Sequence, residues 1–133
     1  TNKVQTHIIM PEVNMLTEFF LMWDAEKPHT WEEMEPVANK LLHEEFKMAT
    51  DTDTLRKPCF MNCLRNMLKD GEVLELIKIE KLDNKVEYEY KVHRRCGKVI
   101  QLKAIGIFRD EKLYHVQAVN SAEYDAVFTK ELK

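Results

Sequence analysis

The feature that most constrains the fold is a change of hydrophobic period near Gly71. Before this residue, three segments carry apolar side chains at every third or fourth position, which is typical of helices that bury one face. After it, four segments alternate apolar and polar residues, as half-buried strands do: EVLELIKIEKL, KVEYEYKVHRR, KVIQLKAIGIF and KLYHVQAV. The order of helices followed by strands predicts an α+β domain.

Short turn signals separate the strand-like segments: Asp83-Asn84, Cys96-Gly97 and Asp110-Glu111. Connections of this length join antiparallel neighbours, so the four strands are expected to form a meander. In the second of them, one face of the strand carries only apolar and aromatic side chains: Val86, Tyr88, Tyr90 and Val92. We expect that face to pack on the core and the other to be at least partly hydrated.

Local signals mark the ends of the three predicted helices. Pro11 fits a first-turn position, where its missing N–H costs nothing. Thr30 is followed three residues later by Glu33, a capping box that begins the second helix. Pro58 leads the third helix, and Asp70-Gly71 ends it because glycine readily adopts the left-handed conformation.

The chain of 133 residues has the size of a single domain, which we assign to residues 1–133. Its core is expected over about residues 11–119. The tail, residues 120–133, has Tyr124, Val127 and Phe128 at helical spacing, and an irregular end fits that stretch equally well.

Charge and composition limit the kinds of partner and cofactor that the protein is expected to bind. The formal charge is −3, so no global positive field attracts nucleic acid or an anionic membrane, and no apolar run approaches the roughly 20 residues of a membrane span. Three cysteines without a CxxC pair argue against a disulfide framework and favour a reducing, cytoplasmic location. The five histidines are scattered, and no glycine-rich phosphate loop occurs, so neither a metal nor a cofactor is expected.

Three stretches resemble a known superfamily of cone-shaped domains. LTEFFLMWD (residues 16–24) is similar to its first helix, WEEMEPVANKLLHEEFKM (31–48) to its second helix and first strand, and GIFRDEKLYHVQAV (106–119) to its closing hairpin. On these stretches the chain resembles the nuclear transport factor 2-like, or SnoaL-like, superfamily. The resemblance implies three N-terminal helices packed in a strongly curved antiparallel sheet, a cone-like roll of the cystatin type.

The resemblance also implies a conical pocket between the helices and the sheet. Members of the superfamily include isomerase-like, dehydratase and polyketide cyclase enzymes, together with non-catalytic binding and assembly modules, and they commonly form homodimers through the outer sheet face. Our first hypothesis is a non-catalytic domain that binds a small apolar molecule and is a homodimer through its sheet. The candidate lining of its mainly apolar pocket is Phe20, Trp23, Met48, Tyr88 and Tyr90.

An enzyme of the isomerase, cyclase or dehydratase type is the second hypothesis. In isomerase-like members, a carboxylate after the second helix is the general base, and Asp51 lies near that position. A carboxylate among apolar walls has a raised pKa and can shuttle a proton beside a carbonyl. The resemblance implies that this base pairs with a tyrosine of the first helix and an acid of a strand. Here the first helix has no tyrosine, and the partner would be His115 or Lys103. Asp51 and Asp53 can instead be explained as capping residues before a helix. A third hypothesis is a protein-interaction module that uses the outer sheet face.

Overall fold

A computed structural model of the protein describes residues 11–128, which form four helices and six strands. The elements are α1 (Pro11–Leu21), α2 (Trp31–Leu41), β1 (Leu42–Ala49), β2 (Thr54–Arg56), α3 (Lys57–Lys69), β3 (Val73–Leu82), β4 (Lys85–His93), β5 (Val99–Arg109), β6 (Lys112–Ala118) and α4 (Ser121–Val127). The predicted order of three helices before a four-strand meander is confirmed. No helix in this part of the chain is long and apolar enough to cross a membrane.

The six strands form one sheet in the order β2-β1-β6-β5-β4-β3. Strands β3 to β6 are the predicted antiparallel meander. Strand β1 adds to it in parallel with β6, so the sheet is mixed, and β2 pairs antiparallel with β1. Register shifts in β1, β3 and β6 act as bulges, and bulges bend strands, which fits a curved sheet that does not close into a barrel.

The local signals at the helix ends are confirmed. The backbone N–H of Glu33 donates to Thr30 Oγ1 (3.2 Å), and the Thr30 N–H donates back to Glu33 Oε1 (2.8 Å), which completes the capping box. Gly71, after α3, has a φ of 79°. Asp110 and Glu111 also have positive φ, and they form the two-residue turn between β5 and β6.

The core lies between the helices and one face of the sheet. On β4, the side chains Val86, Tyr88, Tyr90 and Val92 are all buried, as their shared face predicted. Helix α1 packs against β3, and α3 packs against β1. The described part of the tail forms α4, in which Tyr124 is almost completely buried, as is Phe128 after it. The helical alternative is therefore observed for residues 121–127, and residues 129–133 of the tail lie outside the described residues.

Candidate functional site

The interior of the cone is filled by the protein's own aromatic side chains. Phe20 of α1 lies 6.1 Å from Tyr88 and 4.9 Å from Tyr90 between ring centroids, and the two tyrosine rings stack at 5.8 Å. The cavity that these three rings help to line has a volume of only about 30 Å³. Such a cavity holds about one or two water molecules, so it has no room for an organic ligand.

A buried pair of hydroxyls lies in the same interior. Tyr90 Oη donates to Tyr124 Oη at 2.8 Å, which ties β4 to α4. Burial raises the pKa of Tyr88, and it raises those of Tyr90 and Tyr124 well above their ordinary value. All three phenols are therefore neutral at physiological pH. The interior consequently presents an apolar surface with a satisfied polar pair, and no charged group.

The loop that carries Asp51 attaches the C-terminal helix. Thr50 Oγ1 donates to Asp125 Oδ1 (2.8 Å), and Thr52 Oγ1 donates to Asp125 Oδ2 (2.7 Å). The backbone N–H of Asp51 donates to Ser121 Oγ (2.9 Å), while the Asp51 side chain is exposed. The carboxylate that organises this loop is thus Asp125 of α4, and the loop holds α4 against the sheet.

Asp53 takes a local role in the same loop. Its Oδ1 accepts a hydrogen bond from the backbone N–H of Thr54 at 2.8 Å, and its side chain is partly buried. This contact stabilises the turn into β2. The N-cap of α3 is Arg56, without a side-chain capping bond, so the expected helix-capping role of Asp51 and Asp53 is wrong.

The two proposed partners of Asp51 lie on the outer face of the sheet. Lys103 is exposed on β5 opposite Glu89, between the buried residues Leu102 and Ala104. His115 on β6 lies opposite Ile107 and Lys47. Desolvation, together with the nearby charge of Lys47, lowers the pKa of His115. Neither residue, nor Asp51, lines the interior of the cone.

An open groove lies beside the closed cone, between the end of α1 and the beginning of β3. Its volume is about 790 Å³, and its apolar wall consists of Phe20, Leu21, Trp23, Val73, Leu74 and Leu76. Phe20 and Trp23 are 5% and 6% exposed, whereas Leu21 is 75% exposed at the rim. Phe20 therefore lines both regions. It lies with Tyr88 and Tyr90 in the cone and with Trp23 in the groove. Met48 is buried but lines neither.

Polar groups occur at the rim of this groove. His93 Nε2 lies 2.7 Å from Glu75 Oε1, and both side chains are about half exposed. Asp24 lies on the α1 side, where its Oδ1 accepts the backbone N–H of Glu26 at 2.8 Å. Within residues 11–128, no cluster of three or more His, Cys, Asp or Glu side chains could hold a metal ion.

Sequence reasoning did not assign a role to Leu21, Glu75 or His93. His93 and Glu75 fall on the hydrated face of their strands by alternation, and nothing local shows that α1 ends beside them. The available signal was Leu21, an apolar residue next to the stripe that α1 buries.

Solved structures provide the comparison with known proteins. An uncharacterized cystatin-fold protein from Novosphingobium aromaticivorans is 12% identical, with a TM-score of 0.64 over 82% of this chain and 97% of its own. A nuclear transport factor 2-like protein of unknown function from Cytophaga hutchinsonii is 18% identical, with a TM-score of 0.60 over 80% of this chain and 87% of its own. A candidate SnoaL-like polyketide cyclase from a Jannaschia species is 7% identical, with a TM-score of 0.57 over 89% of this chain and 92% of its own.

No protein-family model matches the chain, and no curated protein matches it. The identities to the solved structures are low, so these likenesses concern the fold alone. They agree with the observed elements, in which three helices precede a four-strand meander in a curved sheet. The chain therefore has the nuclear transport factor 2-like fold of cystatin type that its sequence resembles.

Proposed function

We propose that the protein is a non-catalytic binding domain for small apolar molecules, and that its ligand occupies the groove between α1 and β3. One observation carries this proposal: the cone leaves about 30 Å³, whereas the groove beside it offers about 790 Å³ with an apolar wall. Sites for small molecules commonly have volumes of roughly 300–1,000 Å³ and mostly apolar linings. Two of the five residues expected to bind a ligand, Phe20 and Trp23, line the groove.

The placement of ionisable groups supports binding over catalysis. A general base must reach the atom it deprotonates, and Asp51, Lys103 and His115 line neither the cone nor the groove. An enzyme that uses Asp51 as base would need the ligand at the loop beside α4, where the neighbouring hydroxyls already bind Asp125. The pair of His93 and Glu75 lies at the groove rim, but no nucleophile or second acid within residues 11–128 is hydrogen-bonded to it there.

Nile red, a neutral apolar dye, tests the proposal. The chain has two tryptophans, so a Trp31→Phe background leaves Trp23 as the only indole, and its emission reports on the groove. We expect saturable dye binding with a change in Trp23 emission. Leu21→Gln should weaken binding by roughly threefold to tenfold because the dye loses about 1 kcal/mol of apolar contact. Ala25→Phe, which adds volume at the groove wall without adding an indole, should block binding.

A matched control separates the groove from general surface hydrophobicity. Ile107 is 42% exposed on the outer face of the sheet, so Ile107→Gln removes a comparable apolar side chain elsewhere. This variant should bind the dye as the parent does. Absence of saturable binding, or equal losses for Leu21→Gln and Ile107→Gln, would refute the proposal.

A second candidate function is a protein-interaction module that uses the outer face, with a homodimer as its simplest form. It is favoured by the exposed apolar side chains Ile107 and Val119, which are 42% and 49% exposed. Sedimentation velocity of the parent and of Ile107→Glu would test it. A dimer that dissociates in the variant would support this use of the face; a parent that stays monomeric at about 100 μM would exclude the homodimer.

We also propose a reducing, cytoplasmic location. Cys59, Cys63 and Cys96 form no disulfide among the described residues, and Cys96 is exposed at a hairpin turn. Proteins of oxidising compartments rarely keep an exposed free thiol. Imaging of the tagged protein in its own cells tests this, and a secreted protein would contradict it.

A further inference from the structure

We infer that the ligand of the groove is a cationic amphiphile, an apolar chain that carries an ammonium group. This inference rests on the proposed function and adds the charge of the ligand to it. It follows from two properties of the groove, an apolar floor and an acidic rim.

The floor suits an aliphatic chain. Leu74 is 2% exposed, and the rings of Phe20 and Trp23 are nearly as well covered. In the same wall, the partly exposed side chains Val73 and Leu76 offer an alkyl chain apolar contact, at roughly 25 cal/mol for each Å² removed from water. Trp23 Nε1 has no hydrogen-bond partner among the described residues, but it is itself buried. Exposed Leu21 at the rim lengthens the apolar track toward solvent.

The rim selects the charge of the head group. The ionisable residues of the wall are Asp24, Glu75 and His93, and among the described residues no lysine or arginine lines it. With neutral histidine the wall carries two negative charges, and with protonated histidine it carries a net charge of −1. An anionic head group is repelled in either case, and an ammonium is attracted.

The charged residues near the groove do not cancel the negative charge of its wall. Lys91 lies opposite Glu75 in the pairing of β3 and β4, but it does not line the groove. His93 already pairs with Glu75, so Asp24 is the carboxylate with the weaker cationic competition. Backbone N–H groups of Glu26 (2.8 Å) and Lys27 (3.3 Å) donate to Asp24 Oδ1, which holds this carboxylate at the rim.

Three probes with the same ten-carbon chain test the inference: decyltrimethylammonium, decanol and decanoate. Each is titrated below its micelle concentration into the Trp31→Phe protein, with Trp23 emission as the readout. The expected order of affinity is ammonium, then alcohol, then carboxylate. The ammonium and the carboxylate should differ by roughly tenfold, since each screened surface charge contributes a few-fold.

Conservative variants locate the effect. The double variant Asp24→Asn with Glu75→Gln removes both negative charges. Each amide keeps an oxygen that can accept the hydrogen bonds of the carboxylate it replaces. This double variant should reduce ammonium affinity by roughly threefold to tenfold and leave decanol affinity unchanged. Glu80→Gln with Glu87→Gln changes the net charge equally, at paired positions on the outer face, and should behave as the parent.

The outcomes separate the inference from the proposed function. Binding of all three probes with equal affinity overturns the cationic preference and leaves the binding groove in place. An equal loss in the two double variants overturns it as well, because overall charge would then explain the preference. Binding of none of the probes contradicts both.

Discussion

The cone and the groove are two concave regions that share one side chain, yet one is closed and the other is open. Phe20 packs against Tyr88 and Tyr90 on the cone side, and it lines the groove with Trp23 on the other. The curvature of the sheet supplies the first concavity in any chain of this fold. The side chains then decide whether it holds a ligand, so the fold by itself does not locate the site.

The closure of the cone results from rings contributed by several elements. Phe46 of β1 contacts Phe60 of α3 at 4.9 Å between centroids, and Phe60 stacks on Phe128 at 5.1 Å. Phe128 in turn stacks on Tyr124 at 5.6 Å. The groove has no comparable lid among the described residues, because α1 ends at Leu21 and the chain turns away.

The largest expected effect comes from removing a ring of the cone. Phe46 is completely buried, so Phe46→Ala should lower the free energy of unfolding by about 3–5 kcal/mol, through lost transfer energy and the cavity left behind. Leu21→Ala, at the open rim, should change it by no more than about 0.5 kcal/mol. Urea denaturation of both variants measures the contrast. Similar losses would mean that the rim is as tightly packed as the cone.

The fold was largely predictable because its signals are local. The periodicity of the helices and strands, the capping box at Thr30 and the stop at Gly71 all depend on neighbours in sequence. The parallel pairing of β1 with β6 was not predictable, because it joins Met48 to Val116, which lie about half the chain apart in the sequence. A short extended segment carries no information about its distant partner or about the direction of pairing.

The site was predictable only in part, because its geometry depends on contacts between residues that are distant in the sequence. The aromatic residues Phe20, Tyr88 and Tyr90 were expected to lie together, and they do. Whether they surround a ligand or pack on each other depends on the inter-ring distances, which the sequence does not contain. The role of Asp125 depends on where α4 docks, and that too is a tertiary property.

A glycine inside the cone offers a second test of its tightness. A Cβ at Gly106 would lie 2.8 Å from Leu113 Cδ1 and 3.4 Å from Tyr88 Cε1. Gly106→Ala should therefore destabilise the protein by about 1–3 kcal/mol, because Leu113 must shift in a packed interior. Thermal unfolding of this variant, compared with Ala25→Gly at the groove, provides the measurement. A Gly106→Ala protein as stable as the parent would show that the cone has spare volume.

The buried hydroxyl pair tests whether the cone is dry. In Tyr90→Phe or Tyr124→Phe, one hydroxyl is left without its partner, at a cost of about 1–2 kcal/mol. The double variant removes both groups and should be less destabilised than the sum of the single variants. A double-mutant cycle from urea denaturation gives the coupling. Additive effects would indicate that water already reaches these hydroxyls, and the contrast with the groove would then weaken.

The smallest expected effect concerns a buried nitrogen outside the cone, His115 Nε2 on the outer face. Desolvation and then Lys47 lower the pKa of this histidine from its ordinary value of 6.5 in the folded protein, so below that pH the unfolded chain binds the proton more readily. The stability that neutral His115 contributes is thus present above about pH 6.5 and is lost as the pH falls toward the folded-state pKa. Relative to His115→Gln, the parent should lose stability between pH 7 and pH 5 in urea denaturation. Parallel pH profiles would show that this nitrogen is hydrated, and that the dry region ends at the sheet.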